Sequence, residues 1–237
     1  MPKKKILSLI FILLCLLVCG CRNGDDFYNY PKMYSSYLDK SLGKWEITDV
    51  KDEDGYSFEH SIKTRKWKIK SETGIELELH DTTSIFSTHL SREENNVIFA
   101  DQILSNMNHK YGKNIDSDIK KISSEILDST FYYNCKVDDS NKNSKNDRKE
   151  YAKKVLKSFI IKDMNPKEFY GKWCSGIEVY IEMEDKHFYD NEWIRKEVCT
   201  LVNKNYNLNN IKVTVYANKS RKNHTSSYIN GEYKEVN

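Results

Sequence analysis

Apolar and polar residues alternate with two periods along this chain, and each period predicts a type of element. A period of two predicts strands at 45–50, 66–70 and 75–80. The turn sequence Ser-Glu-Thr-Gly between the last two predicts that they form an antiparallel hairpin with one apolar face. Gly43 is predicted to end a short helix that starts near Tyr34. Gly55 is predicted to break the stretch that follows the first strand.

Apolar residues spaced by three and four predict helices in the middle of the chain. The first of these apolar stripes, at 97–111, is predicted to end at Gly112. The second, at 115–126, is predicted to belong to a new helix. The third stripe, at 152–160, belongs to a helix that is predicted to start at a capping-box pattern formed by Asp147 and Glu150. An aromatic strand is predicted at 131–137.

The second half contains a strand–helix–strand pattern. Alternating apolar residues predict strands at 177–183 and 211–215, and a helical stripe at 194–202 lies between them. The two strands are expected to lie in one sheet, with the helix as their crossover. From Asn218 onward the chain is polar and is predicted to be frayed.

Together the patterns predict an α+β fold. We expect an antiparallel sheet with packed helices in the first half and a strand–helix–strand unit in the second. Residues 37–138 would form an α+β domain or half, and residues 148–237 a helix plus a βαβ domain or half. A polar loop at 139–147 would separate them. The pattern leaves open whether these are two domains or parts of one.

The chain begins with a segment of different character. Three lysines at positions 3–5 precede an apolar run at 6–18, which has the length of a signal-peptide core. The run is shorter than the ~20 apolar residues that a helix needs to span a bilayer. Residues 1–20 are therefore predicted to be a signal peptide.

The end of this segment resembles the lipobox of bacterial lipoproteins. The resemblance implies that a diacylglyceryl group is attached to the Cys21 sulfur, that cleavage occurs before Cys21, and that residues 21–36 form a lipidated tether. It also implies a lipid-anchored location on the extracytoplasmic face of the cell membrane. An ordinary secretory leader, in which Cys21 is incidental, is the alternative. The residues that carry the resemblance are Leu17, Val18, Cys19, Gly20 and Cys21.

Charge limits the partners of the mature chain. The net charge of +3 arises from the lysines at 3–5, and without them 35 basic residues face 35 acidic ones. A nucleic-acid-binding domain would be strongly basic, so no nucleic-acid partner is expected. A neutral chain also implies that lipid, rather than charge, holds the protein to the membrane.

Three cysteines remain beside the proposed lipid attachment site. An odd number in an exported protein leaves at least one thiol free or paired with another molecule. A disulfide between Cys174 and Cys199 is one alternative, and a nucleophilic role for Cys135, Cys174 or Cys199 is another. The spacing does not decide among these states.

No catalytic constellation or metal site is evident in the sequence. The chain has no nucleophile elbow, phosphate-binding glycine loop or paired zinc-binding histidines. His80 and Asp81 are expected to be a solvated pair, and Glu182, Glu184 and Asp185 to keep an exposed strand soluble. No catalytic residue, metal ligand or cofactor is therefore assigned.

Two further sets of residues are assigned structural roles. Lys153, Lys154 and Lys157 make one helix basic outside its apolar stripe, which indicates a solvated face or, as an alternative, a face toward the membrane. The four tryptophans are expected in the core. They are Trp45, Trp67, Trp173 and Trp193.

Two functional classes follow from these observations. The first is a membrane-anchored cell-surface lipoprotein that acts as a non-catalytic binding module for an envelope protein, a wall polymer or a small ligand. The second is a membrane-tethered enzyme acting on cell-wall or peptide substrates. The absence of a catalytic motif favours the first. The stretch 37–45 also resembles the start of uncharacterised exported Gram-positive proteins, which implies no function.

Overall fold

A computed structural model describes residues 27–57, 60–84, 88–135, 145–188, 191–220 and 222–236. The described residues have the α+β fold that the sequence predicts. They cluster into two compact units, which we call the first unit (27–103 and 152–162) and the second unit (104–151 and 163–236). The predicted lipobox and most of the predicted polar loop fall outside the described residues. No helix in the described ranges is long and apolar enough to cross a bilayer.

The first unit contains a three-stranded antiparallel sheet in the order β1-β2-β3. The unit also contains helical segments that precede the sheet, a segment that follows it directly, and one that lies much later in the sequence. Its elements are α1 (Tyr30–Met33), α2 (Ser35–Leu42), β1 (Trp45–Ser57), β2 (His60–Ser71), β3 (Glu76–Ser84), the start of α3 (Arg92–Lys120) and the end of α4 (Lys145–Ser158).

The predicted hairpin is confirmed, but the break predicted at Gly55 after the first strand is wrong. β2 and β3 pair from Ile62 with Ser84 to Lys70 with Glu76, around a turn that contains Gly74. β1 continues through Gly55, which pairs with Ile62 of β2. The ladder formed with β2 holds the glycine in extended conformation, so the local preference of glycine for turns does not decide the structure.

The N-terminal part of the first unit is folded, so the tether predicted for 21–36 is too long. Tyr30 in α1 is fully buried, and its hydroxyl donates to Asn95 Oδ1 at 3.2 Å. Tyr34 stacks on Phe99 with ring centroids 3.9 Å apart. Tyrosines at helical spacing supply the apolar surface that this segment buries against α3. The prediction that α2 ends at Gly43 is confirmed.

The second unit contains a five-stranded mixed sheet in the order β4-β5-β6-β7-β8. The predicted strand–helix–strand pattern is confirmed: β5 and β6 pair in parallel and α6 connects them. Glu178 and Lys212 are partners in this register and form an ion pair at 3.6 Å. The elements are β4 (Ile126–Cys135), α5 (Pro166–Trp173), β5 (Cys174–Met183), α6 (Glu192–Tyr206), β6 (Asn210–Ala217), β7 (Asn223–Ile229) and β8 (Glu232–Val236).

The two helices predicted around Gly112 are one continuous helix, α3. Met107, Tyr111, Ile115 and Ile119 all lie in its buried stripe, which passes through the glycine without a change of period. A glycine inside a helix costs only about 1 kcal/mol relative to alanine, less than burial of one large apolar side chain contributes. The helix therefore continues, and Ile126, predicted to be helical, begins β4.

The prediction that the chain is frayed after Asn218 is also wrong. β7 pairs with β6 along its length, and β8 pairs with β7. Asn230 and Gly231 have φ values of 51° and 92° in the turn between β7 and β8. An Asn-Gly pair of this kind is a strong local signal for a hairpin. The polar composition of β7 hid this signal, because only Ser226 of that strand is buried.

Two of the four tryptophans confirm the expected core position. Trp67 and Trp173 are buried, whereas Trp45 is half-buried. Trp193 lies in the first turn of α6 and is 46% exposed. The prediction is wrong for Trp193 because Ile194 and Val198 form the buried face of α6 and Trp193 lies outside it.

Candidate functional site

A polar cleft in the second unit is the candidate binding site. It has a volume of about 370 Å³ and lies between one face of α3 and the strand β4. Six of its lining residues lie on α3 at alternating intervals of three positions and one position, which places them on one face of the helix. β4 is an edge strand, which in the described residues pairs with β5 alone. The lining residues are Ser105, Asn108, His109, Gly112, Lys113, Asp116, Ser129 and Thr130.

Hydrogen bonds fix the polar side chains of this α3–β4 cleft. The hydroxyl of the buried Tyr170 donates to Asn108 Oδ1 at 3.0 Å. The Ser129 hydroxyl donates to the Asp116 carboxylate, which joins the strand to the helix. Because their partners lie on different elements, the amide and the carboxylate are held in position without a ligand.

An ion-pair bridge links α3 to β4 beside Asp116, which lines the cleft. Lys120 Nζ lies 3.2 Å from a carboxylate oxygen of Asp116 and 3.2 Å from one of Asp128. Hydrogen bonds to these carboxylates raise the pKa of Lys120, and the bond from Lys120 lowers the pKa of Asp128. Lys120 therefore remains charged and connects the C-terminal turn of α3 to the start of β4.

Two side chains of the cleft remain available for a ligand. Lys113 and His109 are exposed, and neither has an ionic partner among the described residues. Beside them lie the hydroxyls of Ser105 and Thr130. An ammonium group, an imidazole, hydroxyls and an amide on one concave surface suit a ligand with anionic and hydroxyl groups.

The cysteines do not form the pair considered from their spacing. Cys174 and Cys199 are both buried and are not bridged to each other. In the register of β4 and β5, Cys135 is opposite Cys174. Burial raises the pKa of the Cys199 thiol to about 12. The Cys199 thiol is therefore protonated at neutral pH and lacks the thiolate that nucleophilic catalysis requires.

His80 and Asp81 do not form a pair, because successive strand residues point to opposite faces. The His80 side chain is exposed, while Asp81 is buried and accepts the backbone N–H of Tyr28 at 2.7 Å. The expected solvated pair is therefore wrong for Asp81. Its carboxylate instead anchors the residues that precede α1.

The acidic residues around β5 have separate partners. Glu184 pairs with Lys186 at 2.8 Å, which lowers the Glu184 pKa. Asp185 accepts the backbone N–H of Lys219 at 3.0 Å, and this bond lowers the Asp185 pKa. Within the described residues, no group of three or more His, Cys, Asp or Glu side chains could hold a metal ion.

A buried charged group lies beyond the cleft. Arg195 in α6 is 3% exposed, and its Nε donates to Ser226 Oγ at 2.7 Å. Its Nη2 donates to Glu235 at 2.5 Å, whereas its buried Nη1 has no hydrogen-bond partner. The guanidinium joins α6 to β7 and β8, so this group has a structural role in the part of the chain predicted to be frayed.

Sequence reasoning missed the cleft. The polar residues at 105, 108, 109, 113 and 116 share one helical face, but the predicted helix end at Gly112 divided them between two elements. Treating 97–119 as one helix would have revealed the polar face. The contribution of Ser129 and Thr130 had no local signal, because it depends on where β4 lies relative to α3.

The comparisons with known proteins identify no relative. No family model, no curated protein and no solved structure matches this chain.

Proposed function

We propose that the protein is a lipid-anchored lipoprotein of the extracytoplasmic face of the cell membrane, and that it acts as a non-catalytic binding module. Its anchor would be the lipid on Cys21. The observation that supports this location is the run Leu17-Val18-Cys19-Gly20-Cys21 after a basic and apolar leader. The described residues begin at Phe27, six positions beyond Cys21, and their N-terminal part is packed into the first unit. The tether is therefore short, and the first unit stays near the membrane.

The binding activity is assigned to the α3–β4 cleft. The observation that carries it is Lys113, a cation without an ionic partner among the described residues, beside hydroxyl and amide groups that are held in position. A fragment of an envelope polymer with carboxylate or phosphate and hydroxyl groups fits this chemistry. The proposed partner is thus a wall polymer at the surface where the anchor holds the protein.

Cys21→Ala is expected to abolish lipid attachment and membrane retention. The sulfur of Cys21 is the only acceptor that the lipobox provides for the diacylglyceryl group. Cells expressing the variant should incorporate no radiolabelled palmitate into the protein, which should leave the membrane fraction. Cys19→Ala is the matched control and should keep both properties. Unchanged labelling of Cys21→Ala would contradict the anchor.

Lys113→Gln is expected to weaken binding of muropeptides, released enzymatically from purified cell wall, by roughly tenfold. Loss of one hydrogen bond to a charged group costs about 1.5–3 kcal/mol, and the low end of this range applies because glutamine still offers a neutral N–H donor. Isothermal titration of the mature chain measures the change. The matched control is Lys110→Gln, because Lys110 lies over the Tyr111 ring and does not line the cleft. Equal weakening in both variants would contradict the site, and turnover of the muropeptides would favour the tethered enzyme instead.

A further inference from the structure

The formal neutrality of the mature chain conceals a local excess of positive charge in the first unit. Residues 27–44 and 152–162 together contain seven lysines and one aspartate. The carboxylate of that aspartate, Asp39, accepts the indole N–H of Trp45 at 2.7 Å. These two segments therefore carry a net charge of about +6, although they are more than 100 residues apart in the sequence.

Hydrogen bonds bring the two segments together. Lys40 Nζ in α2 donates to the Lys157 carbonyl oxygen at the end of α4, at 2.8 Å. The backbone N–H of Lys162 donates to the Ser41 carbonyl oxygen at 3.0 Å. Lys44 follows two residues after the end of α2. These contacts place four exposed lysines around the ends of α2 and α4.

We call this set, Lys40, Lys44, Lys157 and Lys162, the basic face. None of its members forms an ion pair within the described residues, in contrast to lysines on the sheet of the same unit. Lys68 and Lys70 of β2 lie 3.9 Å and 3.4 Å from carboxylate oxygens of Asp49 and Glu76. The ammonium groups of the basic face therefore have no carboxylate at ion-pair distance within the described residues, and a negatively charged surface could contact them.

We propose that the basic face binds the anionic lipid headgroups of the membrane to which the protein is anchored. The inference rests on the proposed lipid anchor for its biological setting. Five residues lie between Cys21 and Phe27. The Phe27 ring lies 4.6 Å from the Arg65 guanidinium in the first unit. The six steps along the chain from Cys21 to Phe27 span at most about 20 Å, so a lipid on Cys21 keeps this unit beside the headgroups.

The positive charge of the basic face supplies a second means of membrane attachment, in addition to the lipid on Cys21. A single acyl chain binds a membrane only weakly, and a basic patch adds to it. Each lysine near an anionic membrane surface strengthens binding by roughly fivefold. Salt at about 0.1 M limits the range of this attraction to about 10 Å. The lipid limits the distance of the first unit from the bilayer, and the basic face determines which side of it approaches.

The test uses the mature chain with Cys21→Ser, so that binding does not depend on the lipid. Sedimentation with vesicles should show binding to phosphatidylcholine containing phosphatidylglycerol, no binding to pure phosphatidylcholine, and release in 0.5 M salt. Lys157→Gln combined with Lys162→Gln should lower the partition coefficient by about 25-fold. Because the lipid is absent, this result is independent of palmitate labelling of Cys21.

The matched control combines Lys68→Gln with Lys70→Gln, which removes the same charge from lysines that have carboxylate neighbours. It should change binding less than twofold. Equal loss in both double variants would overturn the proposal, as would equal binding to neutral vesicles or no binding to anionic ones. Unchanged binding with a lower melting temperature would assign the lysines to helix-end stabilisation and would also overturn it.

Discussion

Phe99→Ala is expected to lower the free energy of unfolding by about 3–5 kcal/mol, the range for a fully buried phenylalanine. Phe99 is 0% exposed and contacts the aromatic cluster of the first unit. Its ring stacks on Tyr34 and meets Tyr37 edge-on, with centroids 5.7 Å apart. The truncation therefore leaves a cavity lined by rings that are themselves held by hydrogen bonds, such as the one from the Tyr37 hydroxyl to the Phe159 carbonyl oxygen.

Urea unfolding followed by circular dichroism measures this change, with the free energy obtained by linear extrapolation. Tyr56→Ala is the matched control, because Tyr56 belongs to the same unit and is 84% exposed. It should change stability by less than about 0.5 kcal/mol. A small effect for Phe99→Ala would show that the segment 27–37 does not pack as described, and the proposed tether would then be longer.

Arg195→Ala is expected to destabilise the protein by about 3 kcal/mol. The variant loses a large buried side chain and two hydrogen bonds, those to Ser226 and Glu235. Ser226 keeps its bond to the Tyr233 hydroxyl at 2.6 Å, and Glu235 is half-exposed and can be solvated. The cost is therefore below that of leaving a fully buried carboxylate without a partner.

Arg195→Met separates packing from charge. Methionine fills much of the same volume and removes the buried Nη1 that has no partner, so the expected cost is about 1 kcal/mol or less. Lys212→Ala is the exposed control, because its ion pair with Glu178 lies at the surface and contributes less than about 1 kcal/mol. Urea unfolding compares the three. Equal destabilisation by Met and Ala would show that the ion pair, rather than packing, stabilises this region.

Fold class and most elements could be predicted because their signals are local. The hairpin of β2 and β3 and the strand–helix–strand unit each depend on a hydrophobic period that is contained in a few neighbouring residues. Predictions that used a single glycine as the end of an element were wrong at two positions. Gly55 and Gly112 lie inside regular elements, because ladder pairing and a continuous buried stripe outweigh the local cost of glycine.

The candidate binding site and the basic face could not be predicted, because neither is local. Asp116 receives its hydrogen bond from Ser129, which lies on the next strand. The lysines at 40 and 157 meet through a contact that spans 117 positions. The net charge of the chain suggested that charge plays no part at the membrane, and only the segregation of charge in the folded first unit leads to a different expectation.

The sequence by itself determined the elements whose apolar residues follow one period, and it carries the run at 17–21 that resembles a lipobox, on which the proposed anchor rests. Both are contiguous patterns that need no partner from elsewhere in the chain. The tertiary structure decided that Tyr30 belongs to a core, that the polar segment after Asn218 forms strands, and that distant lysines share one face. The physical reason is that burial, strand pairing and surface charge depend on which segments become neighbours, which folding alone establishes.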